Sequence, residues 1–385
     1  MMTVVMVAAG VLLVGLAWLV FRKPKSQALA SASNVGTPVA RKRSAALPPV
    51  QTDRSLEPPA TDLVPPKQAP DILKELSPLK LDELEVEKLQ AVATICASME
   101  EPHPIQAQLA RGLDSPEELM DAVVTDAGLT ASVLKTVNSA AFALSSPITS
   151  VQHAVTYLGV SVVKGIVAQA AMAESSQEGT PEQQQALGRI WKSACAASAV
   201  AQAMAKELGF ERPSICATKA LFANLGDVVL TLKYENASTW FAPGSGLAAR
   251  VSAQRDAMGA DSALVGSALA ESWDLPDDIR NSIGDGLLPL LVDAESHPLD
   301  GAELDQHLVV YLADRIGDAV AYQGLNDLAD FELSPTGSDS DSDEEYPDLF
   351  HFQSYLSQPV MQRASVLLQD PSFRRKLGRT LTTLS

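Results

Sequence analysis

Eighteen consecutive residues near the start of the chain, Val4 to Phe21, carry no charge and no strongly polar side chain. A helix of that length reaches roughly 27 Å at ~1.5 Å per residue, close to the ~30 Å hydrocarbon core of a bilayer. Arg22, Lys23 and Lys25 follow directly, and Trp18 lies near that end, where an indole suits the headgroup zone. No basic residue precedes the run and no small-x-small cleavage site follows it, so it reads as an uncleaved anchor, not a signal peptide. The basic flank lies on its C-terminal side, which puts the N-terminus outside and the remainder in the cytoplasm. The competing reading, a buried core helix, would call for partner helices next in sequence, and a polar stretch stands there instead. Gly10 and Gly15 are not at GxxxG spacing, so nothing points to dimerisation through the membrane.

Charge divides the chain. The formal net charge is −18, yet residues 22–67 hold eight basic against three acidic side chains, a net +5 that leaves −23 for the rest. A basic stretch beside an anchor is drawn to anionic lipid, by about 1 kcal/mol per residue near the surface. An acidic body is repelled from that surface, and it is also a poor general binder of nucleic acid, which needs clustered Lys and Arg. The plain reading of the negative charge is solubility. Cys96, Cys195 and Cys216 form no CxxC and are odd in number, which fits reduced thiols in a cytoplasmic domain and neither a redox pair nor a zinc knuckle.

Residues 22–82, rich in Pro, Ala and Ser, read as a disordered linker with a coil reach on the order of 40 Å. From 83 to 292 the pattern is helical, with no convincing alternating strand and about ten helices. Ser115-Pro-Glu-Glu118 and Thr180-Pro-Glu-Gln183 are capping boxes with Pro at the first helical position. Ser150 and Asp261 are expected N-caps, Gly159 and Gly209 expected stops, and Pro276 opens a further helix. A helical extension follows over 293–333, then an acidic loop over 334–348 and a C-terminal helical segment over 349–385 in two pieces around Pro371. In the acidic loop, Asp339, Asp341 and Asp343 have the spacing that begins a calcium loop. Glu344 stands where such a loop needs glycine and Phe350 where it needs a bidentate Glu, so a solvated loop is the default. The basic cluster Arg374, Arg375, Lys376 and Arg379 could meet that loop or a membrane; a solvated helix end is the plain alternative.

The stretch from Asp126 to Gly159 resembles the HDOD family of bacterial signalling domains. The likeness rests on Asn138, Ser139, Ala140, Ala141 and Phe142, followed by the Pro147-Ile-Thr-Ser150 helix entry. It continues at RIWKSACAASAVAQAMA, ALFANLGDVVL and SALVGSALAESWDLPDDIRNSI, and covers roughly residues 95–290. The implied fold is an all-α, multi-helix HD-like bundle, here after a single N-terminal transmembrane helix in a bacterial inner membrane. HDOD domains are similar to HD-type metal phosphohydrolases, in which histidines and a His-Asp pair hold divalent ions that acidify an attacking water. On this resemblance Ala223 and Asn224 stand in place of the His-Asp pair, and Lys192 and Ser262 where further histidines are expected. Asp227 replaces a common lysine, and Gly284-Asp285-Gly286 a histidine-rich end. Methyl, amide, hydroxyl and ammonium groups do not hold Mg²⁺ or Mn²⁺ as imidazole and carboxylate do.

The five histidines, His103, His153, His297, His307 and His351, show no HxxxH or HxxE spacing, and no GxSxG, P-loop or dinucleotide fingerprint occurs. His153 reads as a boundary residue and Trp191 as core. Asn138 and Ser139 read first as helix-end groups bridging backbone, with Phe142 packed inside. In the functional reading Asn138, Ser139, Phe142 and Trp191 belong to a groove that receives a partner. The chain is thus expected to be a non-enzymatic, membrane-tethered signalling or scaffold protein. It would bind protein partners, with no metal, cofactor or nucleic acid, and no small-molecule ligand is expected. The alternative is a degenerate phosphohydrolase that binds or weakly hydrolyses a nucleotide such as a cyclic dinucleotide. The −23 remainder disfavours an anionic ligand unless Lys192 or arginines gather in a cleft. A purely structural role in envelope assembly is the third reading.

Overall fold

Local capping chemistry sets the helix boundaries. In the computed structural model, residues 69–384 are described apart from 100–103, 114, 139–146, 175–178, 235, 332 and 334–346. The apolar run 4–21, most of the linker, and the aspartates with calcium-loop spacing lie outside the described residues. In chain order the first helices are α1 (Asp71–Lys74), α2 (Val86–Ala97), α3 (Pro104–Arg111), α4 (Pro116–Val124), α5 (Ala127–Val137), α6 (Val151–Leu158), α7 (Val160–Glu174) and α8 (Pro181–Glu207). Then come α9 (Pro213–Ala223), α10 (Leu225–Lys233), α11 (Leu247–Met258), α12 (Ser262–Ser272), α13 (Asp277–Gly284) and α14 (Leu288–Leu291). The last three are α15 (Gly301–Tyr322), α16 (Pro359–Gln369) and α17 (Pro371–Leu384). Among the described residues the fold is all-helical.

Both capping boxes form: Ser115 Oγ accepts from Glu118 N at 3.1 Å, and Thr180 Oγ1 from Gln183 N at 3.3 Å, each with the reciprocal bond. Ser150 and Asp261 cap α6 and α12. Gly209, at φ +81°, ends α8 with paired return bonds, Phe210 N to Ala205 O and Gly209 N to Lys206 O. Pro371 separates α16 from α17.

The long helix α8 is the axis of the bundle. α7, α9 and α15 pack along it, and α17 closes one side. Its alanines make this possible: Ala194, Ala196, Ala197 and Ala201 are fully buried, and Gly317 of α15 sits so close that an added Cβ would lie 2.5 Å from Ser193 O. A second close crossing joins α10 to α12, where a Cβ on Gly226 would lie 1.8 Å from Ser262 O. An 18-residue window within Pro213–Lys233 has a mean hydropathy of 1.5, enough for a membrane span by composition, but 78% of that window is buried inside the protein. It is a core element.

One boundary differs from the sequence reading. The linker expected over 22–82 stops short, because residues 69–82 fold onto the body. Leu73 and Leu76 are 4% and 7% exposed, and Arg255 donates to Ser77 O at 2.7 Å. The apolar residues there are too few and too interrupted by proline to show a helical period, so only long-range packing reveals them.

The two glycines make opposite predictions. Gly226→Ala should destabilise the chain by about 3 kcal/mol in urea unfolding, since backbone must move on both sides of the crossing. Gly188→Ala on the open face of α8 meets nothing within 4 Å and should stabilise by about 0.5–1 kcal/mol. Equal effects at both positions would contradict this packing.

Candidate functional site

The α9–α10 junction carries the Ala223-Asn224 pair. Asn224 leaves helical geometry (φ −90°, ψ 14°) and breaks one apolar helix into two. Its Nδ2 is buried with no hydrogen-bond partner. From α3, Gln106 turns inward at 2% exposure, and its Oε1 also lacks a partner. Both residues line one cavity of about 10 Å³, walled by Ala168, Trp191, Phe222 and Val228. That volume accommodates one water molecule, and the two polar groups are a donor and an acceptor. A nucleotide needs a pocket of roughly 300 Å³ or more.

The other candidate positions have different neighbours. Ser262 is buried, and its N–H donates to Gln254 Oε1 at 2.9 Å. Gln254 completes the link by donating to Asp227 Oδ1 at 2.9 Å. Burial pushes the Asp227 carboxyl above its usual range. Lys192 lies half-buried toward the outer edge of α8, and desolvation pushes its ammonium down. Ala223 offers only a methyl group. A methyl, an amide, a hydroxyl and an ammonium do not fit a divalent ion. Among the described residues no three His, Cys, Asp or Glu side chains converge in metal-binding geometry.

The strongest electrostatics lie deeper, where sequence reading placed nothing. Asp318 of α15 accepts from Ser193 Oγ of α8 at 2.7 Å and from Arg315 Nη1 at 2.8 Å, and it pairs with Arg250 of α11. Burial opposes its ionisation, but the Arg250 and Arg315 guanidiniums hold the carboxyl below its usual range. Each guanidinium also lies over a ring, Arg250 4.6 Å from Tyr322 and Arg315 5.2 Å from Tyr311. Asp314, one turn before Asp318, is buried with Oδ1 unpartnered, and burial raises its carboxyl well above the ordinary value. The sequence signal is present: Asp314 and Asp318 recur at i, i+4 within the apolar stretch Leu308–Val320 of α15. The network ties α8, α11 and α15 together through Asp318, while Asp314 Oδ1, Arg250 Nε and Arg315 Nε stay buried without a partner.

Asn138 serves the backbone. Its Nδ2 donates to Leu134 O at 2.8 Å and Ile148 O at 2.7 Å, while Oδ1 accepts from Ile148 N at 2.7 Å. One side chain thereby clips together the two ends of the 139–147 stretch. Ser139 and Phe142 lie outside the described residues. Trp191 is 8% exposed and is part of the core. α4 packs on α6, and each presents one exposed hydrophobic residue, Val124 (59%) and Tyr157 (58%). His153 is exposed, edge-on to Tyr157.

Ten residues apart in sequence, His297 and His307 meet with ring centroids 5.2 Å apart, and each Nε2 is buried without a partner. Burial, then the nearby His297 and Lys219, push the His307 imidazole down to about 3. Lys219 is itself paired with Asp278 at 2.7 Å.

Residues 103–285 match the HDOD domain family. No curated protein matches the chain. Among solved structures, an HDOD domain protein of unknown function from Geobacter sulfurreducens is 19% identical, covering 77% of this chain and 98% of that one, with a TM-score of 0.47. The MmoQ response regulator from Methylococcus capsulatus is 20% identical over 62% of this chain and 91% of its own, at a TM-score of 0.34. A Shewanella amazonensis protein provisionally named a phosphohydrolase is 16% identical over 76% and 98%, at 0.43.

Asp318→Ala should cost about 3–5 kcal/mol in equilibrium unfolding, because two buried guanidiniums lose their counter-ion; a cost below 1 kcal/mol would show that water reaches them. His307 gives a pH test. Its folded value lies below the ordinary ~6.5, so its neutral form is favoured on folding. The associated stability is complete above pH ~6.5 and is lost toward pH ~3 at up to about 1.4 kcal/mol per unit. Between pH 7 and pH 5 the His307→Gln variant should therefore gain about 2 kcal/mol on the wild type. Parallel unfolding curves would refute the assignment.

Proposed function

We propose that this chain is a non-enzymatic, membrane-tethered signalling or scaffold protein whose HDOD domain binds partner proteins. The observation that carries the reading is the donor set at the α9–α10 junction. Ala223 and Asn224 stand in place of a His-Asp pair, Lys192 and Ser262 in place of further histidines, and the adjoining cavity holds about 10 Å³. Metal-assisted phosphoryl chemistry needs imidazole and carboxylate ligands around a polarised water, and these side chains do not provide them. What remains is a rigid helical body with outward-facing surfaces.

In this reading residues 4–21 anchor the chain and the linker confines the body near the inner membrane face. Confinement raises its effective concentration for other membrane-bound proteins without any new contact. The cytoplasmic side suits the thiols: Cys195 and Cys216 are buried, and burial pushes all three cysteines to about 11 or 12, so none is poised for oxidation.

The test uses the full chain in its native membrane. Chemical crosslinking should capture a discrete protein partner, and the Val124→Asp/Tyr157→Asp variant should capture about tenfold less, the loss of two apolar contacts worth ~1 kcal/mol or less each. The purified chain should cleave no cyclic dinucleotide with Mn²⁺. Metal-dependent cleavage, or capture no greater than that of an unrelated anchored protein, would overturn the proposal.

A further inference from the structure

The C-terminal helix breaks the charge pattern of the chain. Residues 359–385 hold five basic side chains and one acidic, a net +4; with the +5 of residues 22–67, this leaves −27 for the residues between. General solubility explains a negative surface but gives no reason to concentrate cations here.

The packing of α17 fixes where those cations point. Phe373, Leu377 and Leu381, at 3%, 3% and 1% exposure, form an i, i+4, i+8 stripe against α8, α16 and the 3-10 turn Leu328–Asp330. The apolar face is therefore fully used and cannot insert elsewhere without undocking. Arg375, Lys376 and Arg379 are exposed on the opposite side, with Arg374 half-exposed. Arg374 and Arg375 spend their Nε groups on backbone carbonyls, Leu368 O and Pro371 O, which fixes the side chains without neutralising them. Lys376 meets Glu207 at 3.2 Å, a pair exposed on both sides and so only weakly held.

We propose that this outer face of α17 is a docking surface for an anionic lipid bilayer, which orients the tethered body on the membrane. The inference rests on the anchor reading for proximity and on α17 for the contact. Each basic side chain near an anionic surface favours contact roughly fivefold, so Arg375 and Lys376 by themselves give a preference of about 25-fold. That is weak for a free protein. It is ample for one already confined to the membrane, because the entropic cost of approach has been met by the tether. Nucleic acid is the other polyanion of this kind, but the strongly negative body surrounding a single small basic face opposes a long polyanion more than a planar surface that touches α17 alone.

The experiment places an environment-sensitive fluorophore on Ser372→Cys, in a Cys96→Ala background, in the full chain reconstituted into vesicles. Ser372 is exposed at the start of α17, and the remaining cysteines are buried. Phosphatidylcholine vesicles are compared with phosphatidylcholine–phosphatidylglycerol mixtures. Emission should shift to the blue only in the mixture. The shift should disappear at high salt and in Arg375→Glu/Lys376→Glu/Arg379→Glu, and should shrink in the matching Gln variant, which spares the fold from charge reversal. Equal emission in both lipids, or a shift that survives the triple substitution, would overturn the proposal. Flotation of the same samples reads the anchor separately. Protein that floats with both vesicle types but shows no shift refutes the α17 contact alone. Protein that floats with neither refutes the tether.

Discussion

Asp318 is the point on which three helices agree. A carboxylate buried between α8, α11 and α15 can remain charged only if Arg250, Arg315 and Ser193 reach it together. The Gly317 that precedes it lets α15 lie directly on α8, so the charge and the close crossing occupy adjacent residues. A slip of one turn would remove the glycine from the contact and leave a guanidinium without its counter-ion. Apolar packing alone would tolerate several registers along an alanine-rich helix, since alanine faces look alike from turn to turn. The buried ions make one register much cheaper than the rest. Because α8 also carries Trp191 and Lys192, this register decides what faces the α9–α10 junction.

At that junction backbone packing and side-chain hydrogen bonds join the helices. A bound metal would tie several helices together through its ligands. Here the close approach of α10 to α12 at Gly226, and the chain Asp227–Gln254–Ser262, supply the cross-links. Gln106 and Asn224 leave a water-sized gap with one donor and one acceptor. Such a gap is costly if dry and tolerable if hydrated, and in either state it is too small for a substrate. The geometry of the pocket and the chemistry of its side chains therefore agree, though they are independent observations.

What the sequence revealed was mostly short-range. Ser115, Ser150, Thr180 and Asp261 cap helices as read, because a cap needs only a side chain and an amide three residues away. Asn138 was assigned by resemblance, and its plain reading as a backbone bridge matches the clip to Ile148. The missed features all depend on partners distant in sequence. Leu73 and Leu76 look like linker until α11 is brought beside them. His297 and His307 show no ligand spacing because a loop and a helix start, not a helix turn, bring them together. Arg250 and Asp318 are 68 residues apart, and nothing local marks them as a pair. The i, i+4 aspartates of α15 were the one visible clue that a polar network lay inside the apolar stretch of that helix.

Range separates the two roles that charge plays in the proposed arrangement. In that arrangement a linker of 22–68 behaving as a coil would reach about 40 Å, since reach grows only as the square root of length. Electrostatic fields at physiological salt decay over ~8 Å. The net charge of the body is thus screened over most of the volume the tether permits, and neither attracts nor repels the bilayer there. Orientation can be imposed only at contact, by whichever surface element is basic and fixed. Among the helices described, α17 meets both conditions: its apolar face is committed to the core and its cations are held outward. A tether that gives proximity without direction leaves room for a second, local contact to decide which side of the bundle faces a partner.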